Sequence, residues 1–262
     1  MSESYFLVER DDRIATVNVN RPDKRNAFKQ VMWDQLAAIV RELRDDPAVF
    51  VIVIRGAGQK VFSAGADISE FGQRERSEGE IAADLAAVES CLLTIKDCPK
   101  AVIAMVYGYA MGGGCALAVT CDMRIVGESA QFGIPAAKLG IVYSVGATKS
   151  LVAMAGPANA SRVLFTGGAF DARTSYEMGI ATAVYPDERL EEETYRLASE
   201  IAGNAPFSIA GAKKMIQTYL RDPEFARARD LYDLPVRSFL TADHREGARA
   251  FMEKRKPVFR GG

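Results

Sequence analysis

The first part of the chain carries strand-type and helix-type hydrophobic patterns in turn. Residues 5–10 and 13–19 are runs of alternating or continuous apolar residues that predict a β-hairpin. Residues 31–46 place apolar side chains at helical spacing. The β-branched run 49–54 then predicts a strand that is buried on both faces. The pattern therefore predicts a strand, strand, helix unit.

The same kinds of element recur less regularly over the next eighty residues. The charged stretch 72–80 predicts a surface loop. The other predicted elements are a loop at 57–66, a helix at 78–96, a strand at 101–106, a glycine turn, a helix at about 113–120, and strands near 122–126 and 130–133.

From residue 146 onward the patterns are mostly helical. The clearest helical segments are 187–203, 207–220, 224–240 and 243–255. An α/β part therefore precedes a helical part. We place the division between an α/β core at 1–205 and a helical segment at 206–262.

Composition narrows the class of protein. The chain has 262 residues, of which 48% are hydrophobic, and this is enough to bury a large core. A formal net charge of −1 offers no excess of positive charge for nucleic acid. The four cysteines form no CxxC pair, which favours a reducing, cytoplasmic compartment.

Membrane association is not predicted. The N-terminus has no uninterrupted apolar segment of the signal-peptide type. Residues 101–121 are uncharged and long enough to span a bilayer, but the glycines at 112–114 interrupt them. A buried strand, a glycine turn and a buried helix explain this stretch better.

Two glycine-containing segments are candidates for chemistry, FSAGADI at 62–68 and YGYAMGGGCALAVTCD at 107–122. Each predicts a turn or strand that leads into a helix N-terminus, where unpaired backbone N–H groups point outward. Two such ends that face each other would form an oxyanion hole. Alternatively, the segments are tight turns that only close a compact fold.

Further motifs accompany these two segments in a fixed order. They are NRPDKRNAF at 20–28, AQFGIPAAKLGIV at 130–142, LFTGGAFDARTSYEMGIATAVYP at 164–186 and EGARAFMEKRKPVF at 246–259. With them the chain resembles the crotonase superfamily, the enoyl-CoA hydratase/isomerase family, over nearly its whole length. The resemblance implies an α/β spiral of strand-strand-helix turns, followed by a C-terminal helical segment that builds trimers or dimers of trimers.

The resemblance also implies a site for an acyl-CoA thioester. The backbone N–H groups of Ala66 and Gly113 would hold the thioester oxygen as it gains negative charge. No metal and no cofactor is implied beyond the coenzyme A that is part of the substrate. The residues implied to contact CoA are Arg25, Ala27, Ala64, Ala66, Asp67 and Ile68, with Phe251 and Lys254 approaching from the helical end. For the EKRKP segment, a solvated helix end is the alternative.

The chain departs from the family pattern at the acid-base positions. Hydratases of the family carry two glutamates where this chain has Ala116 and Ala136. At a later position, where isomerases and dehalogenases of the family carry an acidic residue, this chain has Ser144. Each general acid or base supplies roughly 10²- to 10⁴-fold in rate, so efficient hydration is not expected.

Tyr143 aligns with a tyrosine of the methylmalonyl-CoA decarboxylases, whose LGVPY segment resembles LGIVY here. The match is incomplete, because those enzymes carry a histidine where this chain has Ala66. Tyr143 is therefore either a hydrogen-bond donor to the substrate or a core aromatic whose hydroxyl bonds to a backbone group.

Other ionisable residues receive structural assignments. Glu80, Asp84 and Glu89 border the acyl pocket in this family, but a solvated helix face explains them more simply. The sole histidine, His244, is predicted in the first turn of a helix without a catalytic role.

Three functions remain open. The favoured one is decarboxylase-like or other lyase chemistry that works through a thioester enolate. The others are a non-catalytic acyl-CoA binding protein and a hydratase whose acid-base groups have moved.

Overall fold

A computed structural model describes residues 4–70, 76–226 and 228–261. Its strands are β1 (Phe6–Asp11), β2 (Ile14–Val19), β3 (Val51–Gly56), β4 (Val61–Ser63), β5 (Ala101–Val106), β6 (Tyr109–Met111), β7 (Met123–Gly127), β8 (Gln131–Gly133), β9 (Ala169–Asp171) and β10 (Ala183–Tyr185). Its α-helices are α1 (Gln30–Asp45), α2 (Glu78–Lys96), α3 (Gly113–Thr120), α4 (Val145–Thr166), α5 (Ala172–Glu177), α6 (Asp187–Ala202), α7 (Pro206–Arg221), α8 (Leu234–Phe239) and α9 (Ala242–Met252).

The strands form two sheets, and the chain passes between these sheets in a repeating order. The larger sheet has the order β1-β2-β3-β5-β7-β10, and only its β1–β2 pair is antiparallel. The smaller sheet has the order β4-β6-β8-β9, with β8 and β9 antiparallel. Each pass of the chain adds one strand to each sheet and then a helix: β3, β4 and α2, then β5, β6 and α3, then β7, β8 and α4. The strand-strand-helix spiral is thereby confirmed.

The larger sheet is covered on both faces, which explains its continuous apolar strands. Ile52 and Ile54 of β3 point into a core shared with α1, α2, α3 and α4. Val51 and Val53, which alternate with them, point into a second core that contains Leu190 of α6. The long apolar stretch at 101–121 forms β5, β6 and α3 instead of one continuous helix.

Several predicted features need correction. The segment 57–66 contains the short strand β4, the predicted glycine turn before α3 contains β6, and the mostly helical region that begins at residue 146 contains β9 and β10. The segment 224–240 is not one helix, because a 3₁₀ helix (Arg229–Asp233) precedes α8. Strands of three residues are too short to produce a clear alternation, which is why the sequence did not indicate them.

The charged stretch 72–80 was predicted as a loop, and residues 71–75 lie outside the described residues. Its last part is helical. Ser77 caps α2, accepting a hydrogen bond of 3.3 Å from the N–H of Glu80. The Glu80 carboxylate in turn accepts the N–H of Ser77 at 2.9 Å, which completes a capping box.

Helix α7 is fixed to the core by a buried lysine. The Lys213 ammonium lies 2.7 Å from the Asp122 carboxylate and donates to the carbonyl of Lys100 at 3.0 Å. Arg124, which could have paired with Asp122, donates instead to the carbonyls of Cys121 and Ile180. Asp122 and Arg124 both have structural partners. The division at residue 206 stays a prediction.

No helix within residues 4–70, 76–226 and 228–261 combines the length and the apolar character that a membrane crossing requires.

Candidate active site

The N–H group of Ala66 is exposed by the way its neighbours pair. Phe28 and Ala66 form an isolated parallel bridge. In this bridge Phe28 donates to the carbonyl of Gly65 and accepts the N–H of Asp67, both at 2.8 Å. In such a parallel bridge the N–H of the middle residue, Ala66, points to the opposite side. The predicted helix N-terminus is therefore replaced here by a β-bridge.

The N–H group of Gly113 follows the predicted arrangement. Gly113 is the first residue of α3, so its N–H has no acceptor inside the helix. Gly112 precedes it with a φ of 50° and a ψ of −115°, a backbone conformation that strongly favours glycine. In the described part of the chain, neither the Ala66 N–H nor the Gly113 N–H donates to a protein acceptor.

The nitrogens of Ala66 and Gly113 lie close to each other. A Cβ atom added to Gly113 would lie 3.8 Å from the nitrogen of Ala66 and 3.1 Å from the Trp33 ring. A Cβ added to Gly65 would lie 3.3 Å from the nitrogen of Gly113. Two N–H groups that lie this close together and have no protein acceptor are the kind of donor pair that an oxyanion hole requires.

The three positions at which the resemblance implies acidic residues carry small side chains. Ala116 is on α3, one turn after Gly113, and is only 2% exposed. Ala136 belongs to the 3₁₀ helix Pro135–Leu139. Ser144 caps α4, its hydroxyl accepting the N–H of Ala147 at 3.3 Å. None of the three side chains can transfer a proton as a carboxyl group does.

The acidic residues of α2 have other partners. Asp84 forms an ion pair with Arg76. Glu89 lies against Gly146 in the first turn of α4, so closely that a Cβ there would clash with its carboxylate. Glu80 is part of the capping box of α2. These contacts favour structural roles, as predicted for a helix face.

The Tyr143 hydroxyl has a backbone acceptor. It donates to the carbonyl oxygen of Gly112 at 2.9 Å, and the ring packs against the core. Burial raises the pKa of Tyr143 well above its usual value, so the phenol is neutral. Its only proton is used in this bond. Of the two alternatives from the sequence, this geometry agrees with the second, a core aromatic whose hydroxyl bonds to a backbone group.

Two of the segments predicted to bind CoA, the turn at Arg25 and FSAGADI, lie together. Arg25 and Asn26 both adopt left-handed backbone conformations, with φ of 52° and 54°. The buried Asn26 side chain stabilises this turn by donating to the carbonyls of Ala57 and Val61. The N–H of Ala64 then donates to the carbonyl of Arg25 at 3.0 Å. The turn and the FSAGADI segment are therefore directly joined.

The predicted CoA-binding residues in these two segments differ in the exposure of their side chains. Arg25, Ala64, Ala66 and Ile68 are exposed, and Ala27 is buried. The Asp67 side chain is mostly buried and forms an ion pair with Arg21.

Phe251 and Lys254 lie at the far end of the chain. Phe251 is near the end of α9 and is 86% exposed. Lys254 follows the helix with a φ of 53°. Within the described residues, no hydrogen bond or ion pair joins their side chains to the segments 25–28 or 63–68. Their contact with CoA stays a prediction.

Comparison with known proteins decides the family. The family model for enoyl-CoA hydratase/isomerase matches residues 9–262. The chain belongs to this family. Among curated relatives, the 2,3-dehydroadipyl-CoA hydratase of Escherichia coli is 32% identical, with 98% of this chain and 99% of the relative covered. The crotonyl-CoA hydratase of Syntrophomonas wolfei is 33% identical, with 99% of each covered.

Solved structures of the family agree with the fold. One, described as an enoyl-CoA hydratase/carnithine racemase from Magnetospirillum magneticum, is 34% identical, with a TM-score of 0.94. The match covers 100% of this chain and 97% of that one. An enoyl-CoA hydratase from Bacillus anthracis is 28% identical, with a TM-score of 0.91, and 99% and 100% of the chains are covered. The crotonase-type fold is therefore established.

Two parts of the site in this enoyl-CoA hydratase/isomerase family member were not indicated by the sequence. The Trp33 ring lies beside Gly113, 3.1 Å from the position of an added Cβ atom. Its position on the apolar face of an amphipathic helix suggested only a core residue. The Gly112 carbonyl accepts the hydrogen bond from Tyr143. No sequence signal could indicate this acceptor, because every residue has a carbonyl.

Proposed function

We propose that this protein acts on acyl-CoA thioesters and stabilises a thioester enolate between the N–H groups of Ala66 and Gly113. We propose further that it works without the two carboxylates of the hydratases, as a lyase of decarboxylase type. The supporting observation is that the nitrogens of Ala66 and Gly113 lie close together and have no protein acceptor, with the buried Ala116 one turn away.

In the favoured reaction a malonyl-type thioester loses carbon dioxide. The bond between the α-carbon and the carboxylate carbon breaks, and its electron pair moves into the thioester to give an enolate. The two N–H groups bind the enolate oxygen more strongly than the carbonyl oxygen of the substrate. A proton from water then adds to the α-carbon. Because no general base is needed to form the enolate, alanine at 116 and 136 does not prevent this route.

Hydration is the alternative that the relatives' names favour, since two of them are called hydratases. It requires a group that activates water and a group that protonates the α-carbon. The carboxylates of Asp84 and Glu89 are held against Arg76 and Gly146. A displaced acid-base pair would therefore require these side chains to leave their present partners.

A non-catalytic acyl-CoA binding protein is the third alternative. It would keep the oxyanion hole and use it only for affinity. The replacement of both glutamates by alanine is the observation that favours it. Decarboxylation and simple binding differ in one measurable respect, which is the release of product.

The decisive experiment is a screen of purified protein against crotonyl-CoA, 3-hydroxybutyryl-CoA, malonyl-CoA and methylmalonyl-CoA, followed by mass spectrometry. We expect loss of carbon dioxide from a malonyl-type thioester. Gly113→Ala, which fills the space between the donors, is the matched inactive control. Rapid addition of water to crotonyl-CoA, at the typical enzyme turnover of about 10 s⁻¹, would contradict the lyase assignment. Tight binding of every thioester without turnover would favour the binding protein.

We also propose that the protein assembles as a trimer or a dimer of trimers in the cytoplasm. Large apolar side chains are exposed along the C-terminal helices, which indicates a protein contact surface. They include Ile216, Tyr219, Tyr232, Val236, Phe239, Leu240, Phe251 and Met252. The four cysteines are free thiols, as expected in a reducing compartment.

A further inference from the structure

Two hydrogen-bond donors converge on the carbonyl oxygen of Gly112. The hydroxyl of Tyr143 donates to it at 2.9 Å, and the N–H of Ala116 also donates at 2.9 Å. The peptide group that carries this carbonyl also carries the N–H of Gly113. Tyr143 therefore contacts one end of the peptide whose other end is proposed to bind the thioester oxygen.

The two ends of a peptide group are electronically coupled. Resonance links the carbonyl oxygen to the N–H, so charge drawn to the oxygen leaves the N–H more positive. Chains of hydrogen bonds strengthen one another in this way by roughly 10–30% per bond. The bond from Ala116 belongs to the backbone of α3 and does not depend on its side chain. The bond from Tyr143 depends on a single hydroxyl.

The same hydrogen bond restrains the orientation of the peptide. Gly112 has a φ of 50° and a ψ of −115°, and the next residue is also glycine. A peptide between two glycines meets little steric resistance to rotation. Rotation of this one would break the bonds from Tyr143 and Ala116 and turn the Gly113 N–H away from Ala66.

We infer that Tyr143 is a positioning residue of the oxyanion hole, whose hydroxyl orients and polarises the Gly112–Gly113 peptide. The inference rests on the proposed function in one respect, because it takes the Gly113 N–H as an oxyanion donor. It differs from the first of the two alternatives that the sequence left for Tyr143, in which the phenol would touch the substrate.

The expected size of the effect follows from known donors. Removal of one oxyanion donor costs about 10²- to 10³-fold in rate. A loss of 10–30% of that effect, on a logarithmic scale, corresponds to roughly 2- to 8-fold. Tyr143→Phe should therefore lower turnover by about this factor through kcat, with KM nearly unchanged.

A spectroscopic measurement tests the inference without turnover. Butyryl-CoA, isotopically labelled at the thioester carbonyl carbon, is a saturated thioester that can be neither hydrated nor decarboxylated. In the wild type, infrared difference spectroscopy should show the carbonyl band at lower frequency than in water. In Tyr143→Phe the band should move part of the way back, with the Kd for butyryl-CoA nearly unchanged. No shift in the wild type would instead count against the oxyanion hole itself.

Two further variants control the result. Tyr195→Phe removes a hydroxyl that shares a 2.8 Å hydrogen bond with Thr16, remote from the site, and should leave the band unchanged. A fluorinated tyrosine at position 143 is a stronger donor and should move the band further to low frequency, which provides a test even if Tyr143→Phe folds poorly. The inference is overturned if Tyr143→Phe binds butyryl-CoA with a wild-type band, if Tyr195→Phe shows the same shift, or if fluorination has no effect.

Discussion

The guanidinium of Arg21 lies 2.8 Å from the carboxylate of Asp67, and the side chains are only 9% and 11% exposed. Arg21 also donates to the carbonyl of Ala27 at 2.6 Å. The pair therefore joins the turn that contains Ala27 to the segment that contains Ala66. A buried ion pair of this kind fixes the relative position of two loops that form the proposed CoA site.

We expect Asp67→Asn to destabilise the protein by about 3 kcal/mol, because it leaves the charge of Arg21 buried and unpaired. Urea unfolding measures this change. Glu42→Gln is the matched control, since the Arg10–Glu42 pair is exposed, with side chains 45% and 71% accessible. Such a pair contributes less than about 1 kcal/mol. Equal losses in the two variants would contradict the role of the buried pair.

The stability difference between the wild type and Asp67→Asn should change with pH in a defined direction. The hydrogen bond from Ser69, followed by Arg21, lowers the pKa of Asp67 below its usual value. The ionised carboxylate therefore stabilises the fold fully above the unfolded pKa of about 4, and this contribution is lost as the pH falls through the lowered native value. The stability difference between wild type and variant should shrink on acidification below about pH 4. A difference that stays constant down to pH 2 would refute the assignment.

Gly113→Ala should abolish thioester turnover at a small cost in stability, because the added methyl group would lie 3.1 Å from the Trp33 ring. The added methyl group would lie 3.8 Å from the Ala66 nitrogen, in the space proposed for the thioester oxygen. We expect a loss of at least about 10²-fold in kcat/KM. Gly211→Ala in α7 is the control, because its methyl group would meet only Leu234 at 3.9 Å. Full activity of Gly113→Ala would exclude this oxyanion hole.

Crotonyl-CoA hydration by the wild type should be orders of magnitude slower than the typical enzyme turnover of about 10 s⁻¹. The reason is the absence of carboxylates at positions 116 and 136. The double variant Ala116→Glu with Ala136→Glu should raise the rate. Glutamine at the same two positions has nearly the same size without acid-base function and should not. The loss of crotonyl-CoA absorbance measures all three proteins, and equal rates in the glutamate and glutamine variants would refute the explanation.

The cysteines should be unreactive in the native protein. Burial raises the pKa of Cys91, Cys115 and Cys121 to about 12, so almost no thiolate is present at pH 8. Cys98 is also buried. We expect a thiol reagent to label all four cysteines within minutes in denaturant and none on that timescale in native protein. Fast labelling of a native thiol would show that its site opens.

Sedimentation at micromolar concentration should show a trimer or a hexamer. Leu240 and Met252 are 71% and 75% exposed in the single chain, so we expect Leu240→Glu with Met252→Glu to weaken assembly. Leu7→Glu, at an apolar residue of β1 that is 45% exposed, is the control. A monomeric wild type would contradict the assembly proposal.

The sequence by itself determined the main elements and the family. Helix α2 and strand β5 lie at the predicted residues, because long periodic runs and buried β-branched runs leave few alternative structures. The ordered motifs placed the chain in its family, and alanine at 116 and 136 could be read directly. These features depend on residue type and local spacing, which a sequence contains.

The tertiary structure decided how distant backbone groups combine. A β-bridge to Phe28, not a helix N-terminus, frees the N–H of Ala66. The Tyr143 hydroxyl bonds to Gly112, although the sequence also left a substrate contact open. Short strands such as β4 and β6 form only because neighbouring strands of the spiral supply their hydrogen bonds. Backbone N–H and carbonyl groups are the same in every non-proline residue, so only the folded chain determines which of them remain free.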